Sequence, residues 1–208
     1  MNRTLPVTLT LLLACVSVFL YELTLNEGDE FRRFLIRYAL IPRLLMGDPV
    51  DVTGIDLLPA PLTLLTSLFV HADTAHLVVN MIVLISFGAI VERALGSWKM
   101  ALIYLTSGVS GGMVFSVIDP NSITPVIGAS GALSGIFATA FLLDPRGKIF
   151  LIFIPMPFWL GMVVFVIAHA IFIASGWGAG IAWLAHVGGL LGGFVMSAML
   201  APRLLASR

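Results

Sequence analysis

The sequence predicts an all-α membrane protein: a bundle of six transmembrane helices with one long loop between the first and the second. Three observations carry this. Of 208 residues, 59% are hydrophobic and 11% charged, whereas a soluble domain uses roughly 25% charged residues to cover its surface. The apolar residues fall in long, nearly charge-free runs, and a helix needs about 20 such residues to cross the hydrocarbon core. The basic residues are also sorted by side. Arg3, Arg93, Lys99, Arg146, Lys148, Arg203 and Arg208 share one side of a six-span topology, while the short loops 119–125 and 175–179 hold none. An excess of Lys and Arg marks the cytoplasmic side, so both termini are expected there.

The first span, residues 5–25, resembles a signal peptide in position. It is too long for a typical h-region, and Tyr21-Glu22 makes a poor cleavage site, so it reads as a retained helix. It holds the single cysteine, Cys15, which excludes an intramolecular disulfide and reads as a small hydrophobe. The outer loop, 26–73, carries most of the acids and the other four arginines. Within it, residues 31–40 place basic and apolar positions at helical spacing, as in a helix lying in the membrane interface. The second span, 74–91, can be capped by Asp73 or Thr74. The third and fourth follow at 100–118 and 126–143. The fifth, 149–174, has Pro155 and Pro157 placed to kink its start, and the sixth is 180–201. Trp98, Trp159, Trp177 and Trp183 lie near span ends and read as interfacial anchors. No repeat or appended domain is evident, so residues 1–208 read as one domain. Zero net charge and the lack of a basic run argue against nucleic acid as a partner.

Ionisable and polar groups are costly in lipid, so each one within a span asks for a reason. His76 and Asn80 stand i and i+4 on the second span and share a face; interhelical hydrogen bonding alone would account for them. Gly128-Ala129-Ser130-Gly131 opens the fourth span just after Pro125. That puts Ser130 in the first turns of a helix, where unpaired N–H groups and the positive dipole end favour a developing anion. Gly131 and Gly135 equally make a small-residue packing face. His186 on the sixth span is followed by Gly188, Gly189, Gly192 and Gly193, two overlapping small-residue pairs that admit a neighbouring backbone. Matching faces on spans four and six would bring His186 to Ser130, giving the hydroxyl the base that it needs to act as a nucleophile. No acid in the spans is placed to orient His186, so the reading is a dyad. Metal ligation by His71, His76 and His186 is disfavoured, because no acid or thiol shares their helical faces. His169, in the middle of the fifth span, reads as a neutral imidazole bonded within the bundle, and Asp73 as the N-cap of the second span.

Taken together, these residues resemble the rhomboid family of intramembrane serine proteases. Four motifs occur in the family's order: His71 with His76-x-x-x-Asn80, Gly88-x-x-x-Glu92 with Gly96, Gly128-Ala-Ser130-Gly131, and His186 with its paired glycines. The resemblance covers about residues 66–193. It implies a rhomboid-like fold, Ser130 as nucleophile, His186 as general base and then acid, and an oxyanion hole from His76, Asn80 and the Ser130 N–H. It further implies structural roles for His71, Gly128, Gly131 and Glu92, the last with Arg93 in a cytoplasmic-side cluster. The fifth span and its adjoining outer loop would act as a lateral gate for substrate. Two departures stand out: Leu62-Thr63 replaces a Trp-Arg pair common in relatives, and Ser134 replaces an aromatic that packs on the catalytic imidazole in some of them. His186 must therefore be held another way.

The expected protein is an intramembrane serine endopeptidase in a lipid bilayer, cutting the transmembrane segments of membrane proteins by an acyl-enzyme route. No metal or organic cofactor is implied. A prokaryotic plasma membrane is the expected location, with the active site opening to the outer side. The alternatives are a non-catalytic binder of membrane proteins on the same fold and a small transporter or channel. The oligomeric state, the physiological substrate and the cut site are not legible in the sequence.

Overall fold

In the computed structural model, residues 5–26, 28–47, 52, 54–151, 154–176 and 180–202 are described. Trp177 lies outside them.

Helix α1 (Pro6–Glu22) begins on a proline, whose missing N–H costs nothing at a first turn. The loop that follows is not featureless. It carries α2 (Asp29–Tyr38), α3 (Pro42–Leu45) and α4 (Ala60–Thr66), the last running into a short 3₁₀ turn at Ser67–Phe69. Helix α2 falls where a helix was expected, over 31–40, displaced by two residues toward the N-terminus. Its Phe34 packs against Tyr21 and Tyr38, and its Arg37 pairs with Asp56 at 2.8 Å. An antiparallel bridge between Leu40 and Val126 ties the loop to the segment ahead of Ser130. That bridge corrects the expected start of the fourth span. Val126 is in extended pairing, and the helix begins at Ser130.

Asp73 caps the next helix, accepting from the His76 N–H at 2.8 Å. Helix α5 (Thr74–Val83), a π turn (Leu84–Gly88) and α6 (Ala89–Leu95) form one continuous 22-residue helix. It continues past the expected end at Val91 because Glu92 does not have to reach water. Its carboxylate accepts from the N–H groups of Val7 and Thr8, from Thr8 Oγ1 and from Ser97 Oγ, at 2.7–2.9 Å. Glu92 thus serves the unpaired donors of the first turn of α1. It also ties that turn to the start of α7 (Ser97–Ile118).

Helix α8 (Ser130–Leu143) has 14 residues, about 21 Å at 1.5 Å per residue. Nearly every position from Gly131 to Ala140 is buried, so it is the central post of the bundle. The expected fifth span is corrected at its start. Lys148–Leu151 (β1) and Ile154–Pro157 (β2) pair as an antiparallel hairpin, and α9 is Phe158–Ser175. Pro155 and Pro157 do not kink a helix here. A proline removes an N–H and disfavours helical geometry in the residue before it, and an edge strand tolerates both effects. Helix α10 (Trp183–Leu200) closes the bundle.

Thr74–Leu95, Ser97–Ile118, α9 and α10 are long and apolar enough to cross a membrane, and α1 and α8 are shorter apolar helices. Large apolar side chains cover the outside: Val79 and Ile82, Val117, Val166 and Ile171, Val195 and Met199 are all exposed. In water such a surface would drive aggregation, whereas in lipid it is the matching solvent. The protein is an integral membrane protein.

Candidate active site

The site is assembled where α8, α10 and α7 come closer than ordinary side chains permit. A Cβ on Gly189 would collide with the Gly131 carbonyl, and one on Gly193 would collide with the Gly135 backbone. Gly188 and Gly192 face the other way, onto Ser110 of α7, and Ser110 Oγ donates to the Gly188 carbonyl at 2.9 Å. The overlapping glycine pairs therefore let two different helices reach α10. Further along both helices, Thr139 and Ser197 close the α8–α10 seam with a hydroxyl pair at 2.7 Å.

This contact brings Ser130 Oγ to 2.8 Å from His186 Nε2. Ser130 is the first residue of α8, so the leading N–H groups of that helix surround it without partners inside the helix. Ser134, one turn on, donates to the Ser130 carbonyl at 2.8 Å. Gly128, just ahead, has φ +104, a backbone geometry that L side chains rarely adopt. Its Cα lies against the His76 ring, where a Cβ would meet Nε2 and Cε1.

His76 is held from its other side. The Ala72 N–H donates to His76 Nδ1 at 3.4 Å. A neutral imidazole that accepts at Nδ1 carries its proton on Nε2, the nitrogen facing the loop of Gly128. Asn80, buried one turn further along, donates from Nδ2 to the His76 carbonyl of its own helix at 2.8 Å. That bond leaves its second amide hydrogen for another acceptor. His71 is fully buried between the loop and the bundle: its backbone N–H donates to Glu22 Oε1 and its Nδ1–H donates to the Phe69 carbonyl. A cavity bounded by Ser67, Ile127, Gly128, Ser130, Gly131 and Ala185 lies beside Ser130.

Two neighbours of His186 were not given this place by the sequence. His169 Nε2 is 2.9 Å from His186 Nδ1, and His169 Nδ1 is 2.8 Å from the Phe165 carbonyl. The His169 ring is stacked on Phe165, with centroids 3.9 Å apart. Trp183 is turned onto the site, standing at 89° to His186 with centroids 5.6 Å apart and edge-on to His169 at 5.2 Å. These contacts occupy the role left open by Ser134. The available signal was spacing: Phe158, Met162, Phe165, His169 and Phe172 recur at helical intervals along α9, and Trp183 precedes His186 by three residues. Among the described residues, no three His, Cys, Asp or Glu side chains converge as a metal site would require.

Residues 60–203 match the Rhomboid domain. The chain belongs to the rhomboid family. Rhomboid protein 1, mitochondrial, of Saccharomyces cerevisiae is 30% identical over 168 residues, covering 77% of this chain and 44% of the yeast protein. Rhomboid protease GluP of Bacillus subtilis is 37% identical over 141 residues, covering 66% of this rhomboid and 25% of GluP. Inactive rhomboid protein 1 of Drosophila melanogaster is 36% identical over 80 residues, 38% of this chain and 6% of the fly protein. This rhomboid thus spans less than half the length of each of these relatives.

Proposed function

We propose that this rhomboid is an intramembrane serine endopeptidase that cuts the transmembrane segments of other membrane proteins. The observation that carries the reading is the 2.8 Å approach of Ser130 Oγ to His186 Nε2 at a helix N-terminus. His186 takes the Ser130 proton as Oγ attacks a peptide carbonyl. The resulting oxyanion is held by the Ser130 N–H, the His76 Nε2–H and the Asn80 amide. Collapse breaks the C–N bond as His186 returns the proton to the leaving nitrogen. A water, deprotonated by His186, then hydrolyses the ester and frees Ser130. No metal or organic cofactor takes part.

The bundle is read as one domain with six spans: α1, Thr74–Leu95, α7, α8, α9 and α10. The outer loop lies partly in the membrane, and both termini are cytoplasmic. The expected setting is a prokaryotic plasma membrane with the site opening outward. Substrates with small residues at the cut and a readily unwound helix are favoured, because a peptide bond inside a stable helix is shielded by its own hydrogen bonds.

Labelling with a fluorophosphonate tests the nucleophile directly. An activated Ser130 is phosphonylated, and the adduct maps to the peptide containing Ser130 by mass spectrometry. Folded protein that stays unlabelled favours a non-catalytic binder on the same fold; the fly relative is named inactive.

A further inference from the structure

Ser130 and His186 do not end the hydrogen-bonded chain. It continues from His186 Nδ1 to His169 Nε2 at 2.9 Å and from His169 Nδ1 to the Phe165 carbonyl at 2.8 Å. Four polar groups lie in series, and only the last has a fixed role: a backbone carbonyl can only accept. His169 Nδ1 must therefore carry a hydrogen. In a neutral imidazole the other nitrogen is then bare, so His169 Nε2 is an acceptor. Facing it, His186 Nδ1 must be the donor, which leaves His186 Nε2 bare and aimed at the Ser130 hydroxyl. A base needs that tautomer, and the opposite one would present an N–H to Ser130 and could not take its proton.

We propose that His169 is a positioning residue: by accepting from His186 Nδ1–H it holds His186 in the tautomer whose Nε2 can receive the Ser130 proton. It fills the place that a carboxylate takes in a serine triad, but as a neutral group suited to a site in lipid, where an unpaired charge is costly. The surroundings fit this assignment. His169 is 8% exposed, its ring is clamped by Phe165 on one side and Trp183 at its edge, and its Nδ1 bond runs to its own helix one turn back. Because His169 rides on α9 while His186 rides on α10, the base is set only when these two helices are seated together. Any movement of α9 away from α10 breaks the 2.9 Å bond and releases His186 from its tautomer.

This inference rests on the serine-protease reading for its consequence but not for its first test. In ¹⁵N-histidine-labelled protein, the His186 ring should show one bare Nε2 and one protonated Nδ1. In His169→Leu the two tautomers should mix. For cleavage, His169→Leu should lower kcat about tenfold, the size of one neutral hydrogen bond, with KM within about twofold. His169→Gln, whose amide oxygen can accept from Nδ1–H, should recover most of that loss, which a merely structural role for the ring would not produce. A His186 protonated at Nε2 in wild type overturns the proposal. So does a folded His169→Leu with wild-type kcat, or a His169→Gln no better than His169→Leu. Wild type that never cleaves contradicts the protease reading instead, and the nitrogen spectrum then decides this proposal alone.

Discussion

Gly189 of α10 lies so close to the Gly131 carbonyl of α8 that no side chain fits between them. The distance between Ser130 and His186 is a consequence of that contact. Each residue stands within three positions of one of these glycines, so the site widens if the backbones separate. Gly189→Ala should therefore destabilise the fold by about 1–3 kcal/mol, as overpacking does, and reduce cleavage in whatever protein remains folded. Gly131→Ala is the control, since its Cβ would meet the Ala185 carbonyl at 3.4 Å, an ordinary contact. Thermal midpoints in detergent should separate the two variants.

Glu92 is expected to matter for stability and little for chemistry. It accepts four hydrogen bonds, joining α1 to α7 far from Ser130. Glu92→Ala leaves several donors unserved and should cost about 3 kcal/mol, where a single bond to a charged group contributes about 1.5–3. Glu92→Gln keeps acceptor capacity and should cost less. Unfolding in a denaturing detergent ranks the variants, while kcat of the folded fraction should stay near that of wild type.

Much of this was legible in the sequence because the residues concerned leave local marks. Asp73 before an apolar run is an N-cap signal, and the N-cap forms. The glycine pairs after His186 announce a close neighbouring backbone, and Gly189 and Gly193 lie against α8 as expected; that Gly188 and Gly192 would receive α7 was not read from them. What was hidden depends on rotational phase. Helix α9 is apolar on nearly every face, so the stripe of Phe158, Met162, Phe165, His169 and Phe172 has no polar face opposite to mark it as inward, and spacing alone did not direct His169 at His186. Trp183, near a span end, looked like an anchor for the same reason. Pro155 and Pro157 were open to two readings, because the loss of an N–H suits an edge strand as well as a kink. Asn80 was correctly placed on the face of His76, but its bond back to the His76 carbonyl could not be read from spacing.

Trp183 should support His186 by packing. Its edge-on contacts with His186 and His169 and its tilted contact with Phe172 are each of a kind that contributes about 0.5–1.5 kcal/mol beyond burial. Trp183→Ala should lower kcat several-fold, and Trp183→Phe should retain most of it. Steady-state cleavage of one reporter under fixed detergent conditions makes the comparison.

Stability should fall on mild acidification through His71. Burial pulls its imidazole from 6.5 down to about 4, and the neighbouring His76 adds to the shift. The folded state therefore keeps His71 neutral at pH values where the unfolded chain protonates it. Stability from this group is full above about pH 6.5, declines between 6.5 and 4, and levels off below. Thermal midpoints measured from pH 7.5 to 4 should show that slope, and His71→Gln should lack its share of it.

The most direct test of the central claim is cleavage of a single-span reporter in liposomes by wild type, Ser130→Ala and His186→Ala. The account predicts a cut within the reporter's transmembrane segment by wild type, and loss of at least about a thousandfold in both folded variants. Cleavage that survives Ser130→Ala would contradict it.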